Sequence, residues 1–542
     1  MSLDFLRVYN INKSKIRIGS EGDGGYVFVD GLEYDCFISC GISNDINFEK
    51  QFCVKYPNIP CYAYDGTIDK LPEDIPQINF IKKNITYYNS DTTTNLIDLL
   101  DKYDNIFIKM DIETYEYRWI QSLSEKHLNK IKQLVIEFHY PFTYVVFKDL
   151  DLPLDVKDKL GVIEKITKTH TLIHFHPNNA GPTDYYNNIY VPFLFECTYI
   201  RNDVYPVKIL NTENIPTSVD KQNVPGNDIY LTDYPFVAKK KKLVFYMTSG
   251  IPHPKNWDAI QRMCRSYNID FEYTNDLERL KRNDYDILYT IMYYVDPDII
   301  PNNIKIVYGP QFWVIPEPPI VGKYRPELEG RCVFNSLSKW VANYYLELGK
   351  ELIMPLGQFP FSVDTDKFKP LEPSCPKEYD CIVYIKRRSN KLVNNVLNLL
   401  SNKDLRYKIF KYGSYNEEDY KWSLHRSKFM ISLDAHESQG FGLEEAMSCN
   451  VPLLVIDAQS MYDEMDDGNN ATYKYLEPAK LEATSVPYWS SECGIKLKGD
   501  IGLNEAIDYM TSYYKDFNPR DYIIKTLSNE VCMKRILDYF KL

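Results

Sequence analysis

The chain has 542 residues and a net charge of −12, from 63 Lys and Arg against 75 Asp and Glu, which opposes binding along a phosphate backbone and argues against nucleic acid as a partner. Its length exceeds what one core can serve, so roughly two to four domains are expected. No apolar run reaches membrane-span length, residues 1–12 lack the apolar core of a signal peptide, and the 12 cysteines are scattered without a Cys-x2-Cys pair; these features predict no membrane span and a cytoplasmic chain with reduced thiols.

In chain order, Asp35 to Gly41 reads as a buried strand closed by glycine, and Asn47 to Tyr56 as a helix with apolar positions at Phe48, Phe52 and Val54. Cys61 to Tyr64 is a second strand, ending at Asp65. A glycine closing the first strand and an acid ending the second form the layout of a nucleoside site in a Rossmann-like sheet. The glycines do not form Gly-x-Gly-x-x-Gly, which disfavours a dinucleotide. A strand near Ile78 to Tyr87, a helix near Thr94 to Lys102, and apolar runs at Ile106 to Met110 and Leu134 to His139 complete a strand–helix alternation that predicts a largely parallel, doubly wound sheet.

Gly41, Asp65, Asp111, Glu113 and His139 fall at carboxyl ends of these strands, where functional groups collect in such folds. Read as strand residues, Asp111 and Glu113 share a face and suit either a sugar diol or a divalent ion. His139 suits a general base, with His174 and His176 as alternates on a hairpin beside Asn178 and Asn179. With no third ligand at close spacing, the two histidines read as sugar contacts, and no metal-ligand set is assigned.

These segments resemble an FkbM-like S-adenosylmethionine-dependent methyltransferase. The matching residues are Arg17 to Tyr26, Ile38 to Asp45 with Phe48 and Glu49, Lys109 to Glu113, and His174 to Asn179. The resemblance implies that Gly41, Glu49 and Asp65 hold the cofactor, that Asp111, Glu113 and His139 serve catalysis, and that His174, His176, Asn178 and Asn179 contact a sugar. Thr114 stands where many relatives have glycine.

Pro216 to Pro235 is a polar wrap around the first domain, and Lys239 to Lys242 a solvated basic joint. Lys242 to Gly250 then restarts the strand-then-glycine pattern, followed by a helix over Trp257 to Tyr267 and strands near Ile269, Ile287 and Ile304. Further strands are read at Tyr379 to Ile385 and Tyr407 to Gly413.

Phe429 to Ile456 says most about chemistry. An apolar strand leads to Glu437, then the turn Gly440-Phe441-Gly442, a short helix carrying Glu445, and, after Pro452, another apolar strand. Glycines at such a turn let a phosphate approach the backbone, and the amides opening the helix point at it. Two glutamates flanking Gly-Phe-Gly, followed by Glu-Ala-Met and Val-Pro-Leu-Leu-Val, resemble the retaining GT-B glycosyltransferases of the large family 4 type. The resemblance implies that Glu437 lies by the donor sugar and Glu445 holds the ribose. It also implies nucleotide-sugar contacts from Gly250, Gly413, Gly440, Phe441 and Gly442, and diphosphate contacts from Arg387 and Lys391, with Lys386 as substitute. The segment Tyr522 to Leu542 reads as one helix crossing back to the first lobe.

The fold expected is α/β: a Rossmann-like methyltransferase domain at 1–237, a linker at 238–241, and GT-B lobes at 242–365 and 366–542. The activity expected is bifunctional: retaining transfer from a nucleotide sugar to a glycan or glycoconjugate, and O-methylation of a sugar hydroxyl, with divalent-metal dependence left open. The alternatives are a silent glycan-binding module in one half, or a nucleotide-sugar epimerase or dehydrogenase in the first. The Tyr, Asn, Ile and Lys content suggests an AT-rich, viral source and thus a host cytoplasm.

Overall fold

The apolar runs become the strands of three mainly parallel sheets. The computed structural model describes residues 2–143, 154–206, 208–248, 253–310, 319–371, 375–466, 469–470 and 481–542, and the chain divides into two compact units, Met1–Lys239 and Lys240–Leu542. Among the described residues no helix is long and apolar enough to cross a membrane.

The first unit holds a seven-stranded sheet of β1 (Cys36–Cys40), β2 (Cys61–Tyr64), β3 (Ile78–Ile81), β4 (Ile106–Met110), β5 (Ile131–His139), β6 (His170–Pro177) and β7 (Leu194–Arg201), in spatial order β6-β7-β5-β4-β1-β2-β3. Strands β1 to β5 are parallel, and β7 runs against both of its neighbours. β1 and β4 are mostly apolar and wholly buried, as suits strands covered on both sides; their polar residues, Ser39 and Lys109, are buried too. Helix α1 (Asn47–Lys55) sets Phe48 and Phe52 against Phe37 and Phe107, the Phe37 and Phe52 rings 4.2 Å apart. Val54, expected on that face, is 78% exposed. It lies two residues beyond Phe52, and two steps of a helix turn the side chain to the opposite side. The strand expected through Tyr87 stops at Ile81, and only Asn84–Ile85 pairs again, with Thr93–Thr94. The helix expected from Thr94 starts at Ile97, behind a left-handed Leu96.

The chain leaves β1 toward β2 and β3, then returns to build β4 on its other side. The crevice between the carboxyl ends of β1 and β4 is therefore the topological switch point, where such sheets take ligands.

The second unit holds two all-parallel sheets. One contains β8 (Lys242–Tyr246), β9 (Asp270–Thr274), β10 (Ile287–Thr290), β11 (Lys305–Tyr308), β12 (Cys332–Asn335) and β13 (Leu356–Gly357), in order β9-β8-β10-β11-β12-β13. The other contains β14 (Tyr379–Lys386), β15 (Tyr407–Lys411), β16 (Ser427–Asp434), β17 (Leu453–Asp457) and β18 (Gly494–Lys498), in order β15-β14-β16-β17-β18. Each starts on an inner strand, adds the second on one side and the rest on the other, so each has its own switch point: β8/β10 and β14/β16.

The helices that position the site are α2 (Pro254–Ser266), α3 (Asn390–Asn402), α4 (Glu417–His425), α5 (Phe441–Ser448), α6 (Pro519–Leu527) and α7 (Asn529–Phe540). α6 packs on α5 beside the second sheet, and α7 on α2 beside the first, so Ile260, Met263, Met447, Met533 and Ile536 share one core. The single terminal helix expected over Tyr522 to Leu542 is thus two. Ser528 is extended (φ −65°, ψ 162°), and its hydroxyl accepts a hydrogen bond from the Val531 amide, ending α6 and capping α7.

Candidate functional site

In the second unit the two switch points face one cavity of about 440 Å³. From the β14 end, Lys386 pairs with Glu437 and lies 4.2 Å from the centre of the Tyr412 ring. Arg387, in the left-handed region at φ 50°, reaches Glu464 at 2.6 Å. Arg388 is buried and bonds the carbonyls of Asp434 and Ile456, so it clamps the strand ends and does not face the cavity. Lys391 is exposed on the first turn of α3 and does not line the cavity; Lys386 reaches it instead. The chain turns outward at Arg388 and enters α3, which carries position 391 away.

From the β16 end, the Glu437 loop is pinned through its backbone, the Trp340 indole donating to the Glu437 carbonyl at 2.7 Å and the Glu437 amide to the Thr484 carbonyl at 3.0 Å. Gly440 (φ 98°) opens α5, and a Cβ on Gly442 would sit 3.0 Å from the Tyr384 hydroxyl, so glycine permits that close approach. Gly440, Phe441 and Gly442 all line the cavity. Gly413 (φ 74°) does not, but its turn carries Tyr412 and Tyr415, which do. Gly250 lies outside the described residues.

One turn into α5, Glu445 is 4% exposed and pairs with Lys255 of α2, which also lies 3.3 Å from Glu417. Burial pushes the Glu445 carboxyl up to about 7 against the pull of Lys255. Its neighbour Glu444 is fully enclosed, and burial raises it well above the carboxylate range even though Gln439 donates to it at 3.0 Å. The cavity edge is therefore a set of charges already matched in pairs: Lys386 with Glu437, Lys255 with Glu445, Arg387 with Glu464.

Solved structures that match part of the chain include glycosyltransferases. A glycosyltransferase involved in avilamycin A biosynthesis matches with 10% identity and a TM-score of 0.35, over 56% of this chain and 97% of its own. A lipopolysaccharide outer core galactosyltransferase in its apo form matches with 11% identity and a TM-score of 0.31, over 56% of this chain and all of its own. Sucrose-phosphate synthase from Thermosynechococcus elongatus matches with 10% identity and a TM-score of 0.34, over 56% and 98%. No family model matches the chain, and no curated protein matches it in sequence.

In the first unit, a cavity of about 740 Å³ opens at the carboxyl ends of β1, β2 and β4. Gly41 (φ 82°) turns the chain there, and a Cβ would lie 1.7 Å from the Asp111 carbonyl oxygen, so no other residue fits. Lys109 donates to the Gly41 carbonyl at 2.7 Å. Asp65 accepts from the Ile42, Ser43 and Thr67 amides and the Thr67 hydroxyl at 2.6–2.9 Å. A carboxylate has about four acceptor positions, and these bonds occupy them. Asp65 thus shapes the Gly41 loop and holds no spare position for a ribose diol. Glu49, on α1, accepts from Ser39 at 2.5 Å and lies at the cavity wall with its other oxygen buried and without a hydrogen bond.

Asp111 and Glu113 do not share a strand face, because β4 stops at Met110 and the backbone turns left-handed at Glu113 (φ 53°) and Thr114 (φ 82°). The turn still brings both toward His139 Nε2, at 3.7 and 3.5 Å. His139 ends β5, buried, with Nδ1 3.3 Å from Glu116. Burial alone would lower its pKa, but Glu116, Glu137 and Asp111 raise it to about 10. His139 is then a cation near neutral pH, the opposite of the state in which a general base waits. His174 bonds Asp220 at 2.7 Å, His176 Glu196 at 3.2 Å, Asn178 Glu137 at 2.7 Å and Asn179 the Val224 carbonyl at 2.8 Å. None of the four lines the cavity; His174 and Asn179 fasten the polar wrap to the sheet.

Sequence reasoning missed Lys255, Glu464 and Glu116. Lys255 follows His253-Pro254 at a helix start beyond the β8 strand, a position where charge faces a ligand, but its partner lies 190 residues away. Glu116 has a local signal, standing three residues after Glu113 in the same turn.

Proposed function

We propose that residues 240–542 are a retaining glycosyltransferase that moves a sugar from a nucleotide-sugar donor to a glycan or glycoconjugate. The observation that carries this reading is the convergence of two sheet switch points on one cavity that holds a glycine-opened helix start, paired cations and two glutamates of different burial. The amides opening α5, with Lys386 and Arg387, face the diphosphate, whose negative charge grows as the bond from the anomeric carbon to the phosphate oxygen breaks. Glu445, deep and oriented by Lys255, takes the ribose hydroxyls; Glu437, on the loop, faces the donor sugar. The acceptor oxygen bonds the anomeric carbon on the face the diphosphate leaves, and its hydroxyl proton passes to the departing phosphate oxygen. The test is turnover of nucleotide-sugar donors by the full chain: release of nucleoside diphosphate that depends on Glu437 supports the reading, and no release with any common donor defeats it.

For residues 1–239 the proposal is O-methylation of a sugar hydroxyl with S-adenosylmethionine. The residues fit such a group: the Gly41 turn and Glu49 both line the cavity, and among the described residues one buried Glu49 oxygen has no hydrogen-bond partner. When bound, the cofactor supplies the methyl group. Asp65 shapes the loop that meets it, and Asp111 faces the acceptor side. S-adenosylhomocysteine binding to the full chain, lost in Gly41→Ala, tests this; binding undiminished in that variant refutes it.

A further inference from the structure

We infer that Asp111, Glu137 and His139 form a binding site for a divalent cation of the magnesium or manganese kind. The inference is independent of the methyl-transfer reading, since it concerns the ion alone. One ligand atom from each of the three residues lies within 4.8 Å of the others, the span of a small cation's coordination shell. The three come from different places in the fold: Asp111 from the turn after β4, Glu137 and His139 from alternate positions at the end of β5, which point to the same side.

The second observation lies in the histidine itself. His139 is 6% exposed, and among the described residues its Nε2 makes no hydrogen bond; it is aimed between the Asp111 and Glu113 carboxylates. Its other nitrogen faces the wholly buried Glu116 carboxylate, which also accepts the His139 backbone amide at 2.9 Å. A carboxylate can only accept, so Nδ1 keeps its proton, and it is Nε2 that gives up a proton when a cation enters and turns the freed lone pair to the cluster. A carboxylate that fixes the tautomer behind a ligating histidine is the recurrent support of metal-bound imidazole.

The first ligands are braced in the same way. The Tyr26 hydroxyl lies 3.1 Å from one Asp111 oxygen and 3.4 Å from one of Glu137, and Asn178 holds the other Glu137 oxygen. These bonds fix the carboxylates while leaving the remaining Asp111 oxygen toward Nε2. Oxygen donors with one imidazole suit magnesium or manganese better than a thiophilic ion. Asp111 and Glu113 line the neighbouring cavity, so the ion would keep open positions toward it, where two vicinal hydroxyls of a sugar could complete its shell.

Manganese titrated into the full chain, with free ion followed by electron paramagnetic resonance, tests the inference. One equivalent is expected to bind and to be displaced by excess magnesium. Asp111→Asn, Glu137→Gln and His139→Gln should each weaken binding tenfold or more, Glu116→Gln roughly 10- to 100-fold through the histidine, and Glu125→Gln on the unit's surface should leave it unchanged. Near-ultraviolet circular dichroism identifies any variant that fails to fold, and the remaining ligand variants then decide. The inference is overturned if no manganese binds, if binding survives all three ligand substitutions, or if zinc binds at these residues and manganese does not.

Discussion

Replacing Glu445 with glutamine tests the proposed nucleotide site at its deepest point. Its carboxylate is almost fully enclosed, and its mate is Lys255. A glutamine side chain there would keep the shape and one acceptor while removing the charge. Hydrogen bonds to a charged acceptor contribute about 1.5–3 kcal/mol, which predicts a loss of about 10- to 150-fold in affinity for a nucleoside diphosphate. The cost to folding should fall below the usual value for a broken buried pair, because Lys255 retains Glu417 at 3.3 Å and is itself partly exposed. The pH dependence supplies a second readout. Burial sets the Glu445 carboxyl at about 7, so lowering the pH through 7 should protonate it and weaken binding in the parent, with no matching step in Glu445→Gln. Calorimetric titration at pH 6 and pH 8 measures both. Equal affinity of parent and variant, or the same pH step in both, would show that Glu445 does not receive the ribose.

Glu437→Ala should behave in the opposite sense: freeing Lys386 should leave diphosphate affinity unchanged or raised, while transfer falls by at least tenfold. Lys391→Ala should leave diphosphate affinity at the parent value, whereas Lys386→Ala lowers it, as binding assays with mono- and diphosphate would show. Gly41→Ala should destabilise the first unit or abolish its cofactor binding, because the added carbon meets a backbone oxygen; melting curves with and without S-adenosylhomocysteine separate the two outcomes. Burial holds His170 at about 4, below its ordinary value, with its ring bonded to the Ile131 carbonyl at 2.8 Å. The unfolded chain therefore takes up this proton first as pH falls below 6.5. Its stabilising contribution is full above 6.5 and is lost toward pH 4, by about 1.4 kcal/mol per pH unit, and His170→Gln should flatten that part of the melting-point profile.

Much of the fold is legible in apolar runs, since a strand covered on both faces is mainly apolar and β1, β4, β16 and β17 are such runs. Gly41 is readable because a turn against a neighbouring backbone admits only glycine, and Gly440 because a left-handed turn favours it. What could not be read depends on backbone direction over a few residues. Strand alternation puts Asp111 and Glu113 on one face, yet the left-handed turn at Glu113 and Thr114 decides where they point. Lys391 looked equal to Lys386 in charge, but one ends a strand and the other opens an outward helix. The partners of Lys255 and Asp65 are set by tertiary approach, and in Asp65 this turned an expected ligand contact into the fastening of a loop.

The pairing of charges around the cavity of the second unit bears on ionic strength. A phosphate site built from unmatched cations attracts any anion, and salt screens that attraction steeply. Here Lys386, Lys255 and Arg387 each already face a carboxylate, so an entering diphosphate exchanges one ion pair for another and the number of exposed charges changes little. Affinity for the nucleotide should therefore vary less with salt than the cation count suggests. Inorganic phosphate, which lacks a ribose and a base to offset the exchange, should compete poorly for the same place.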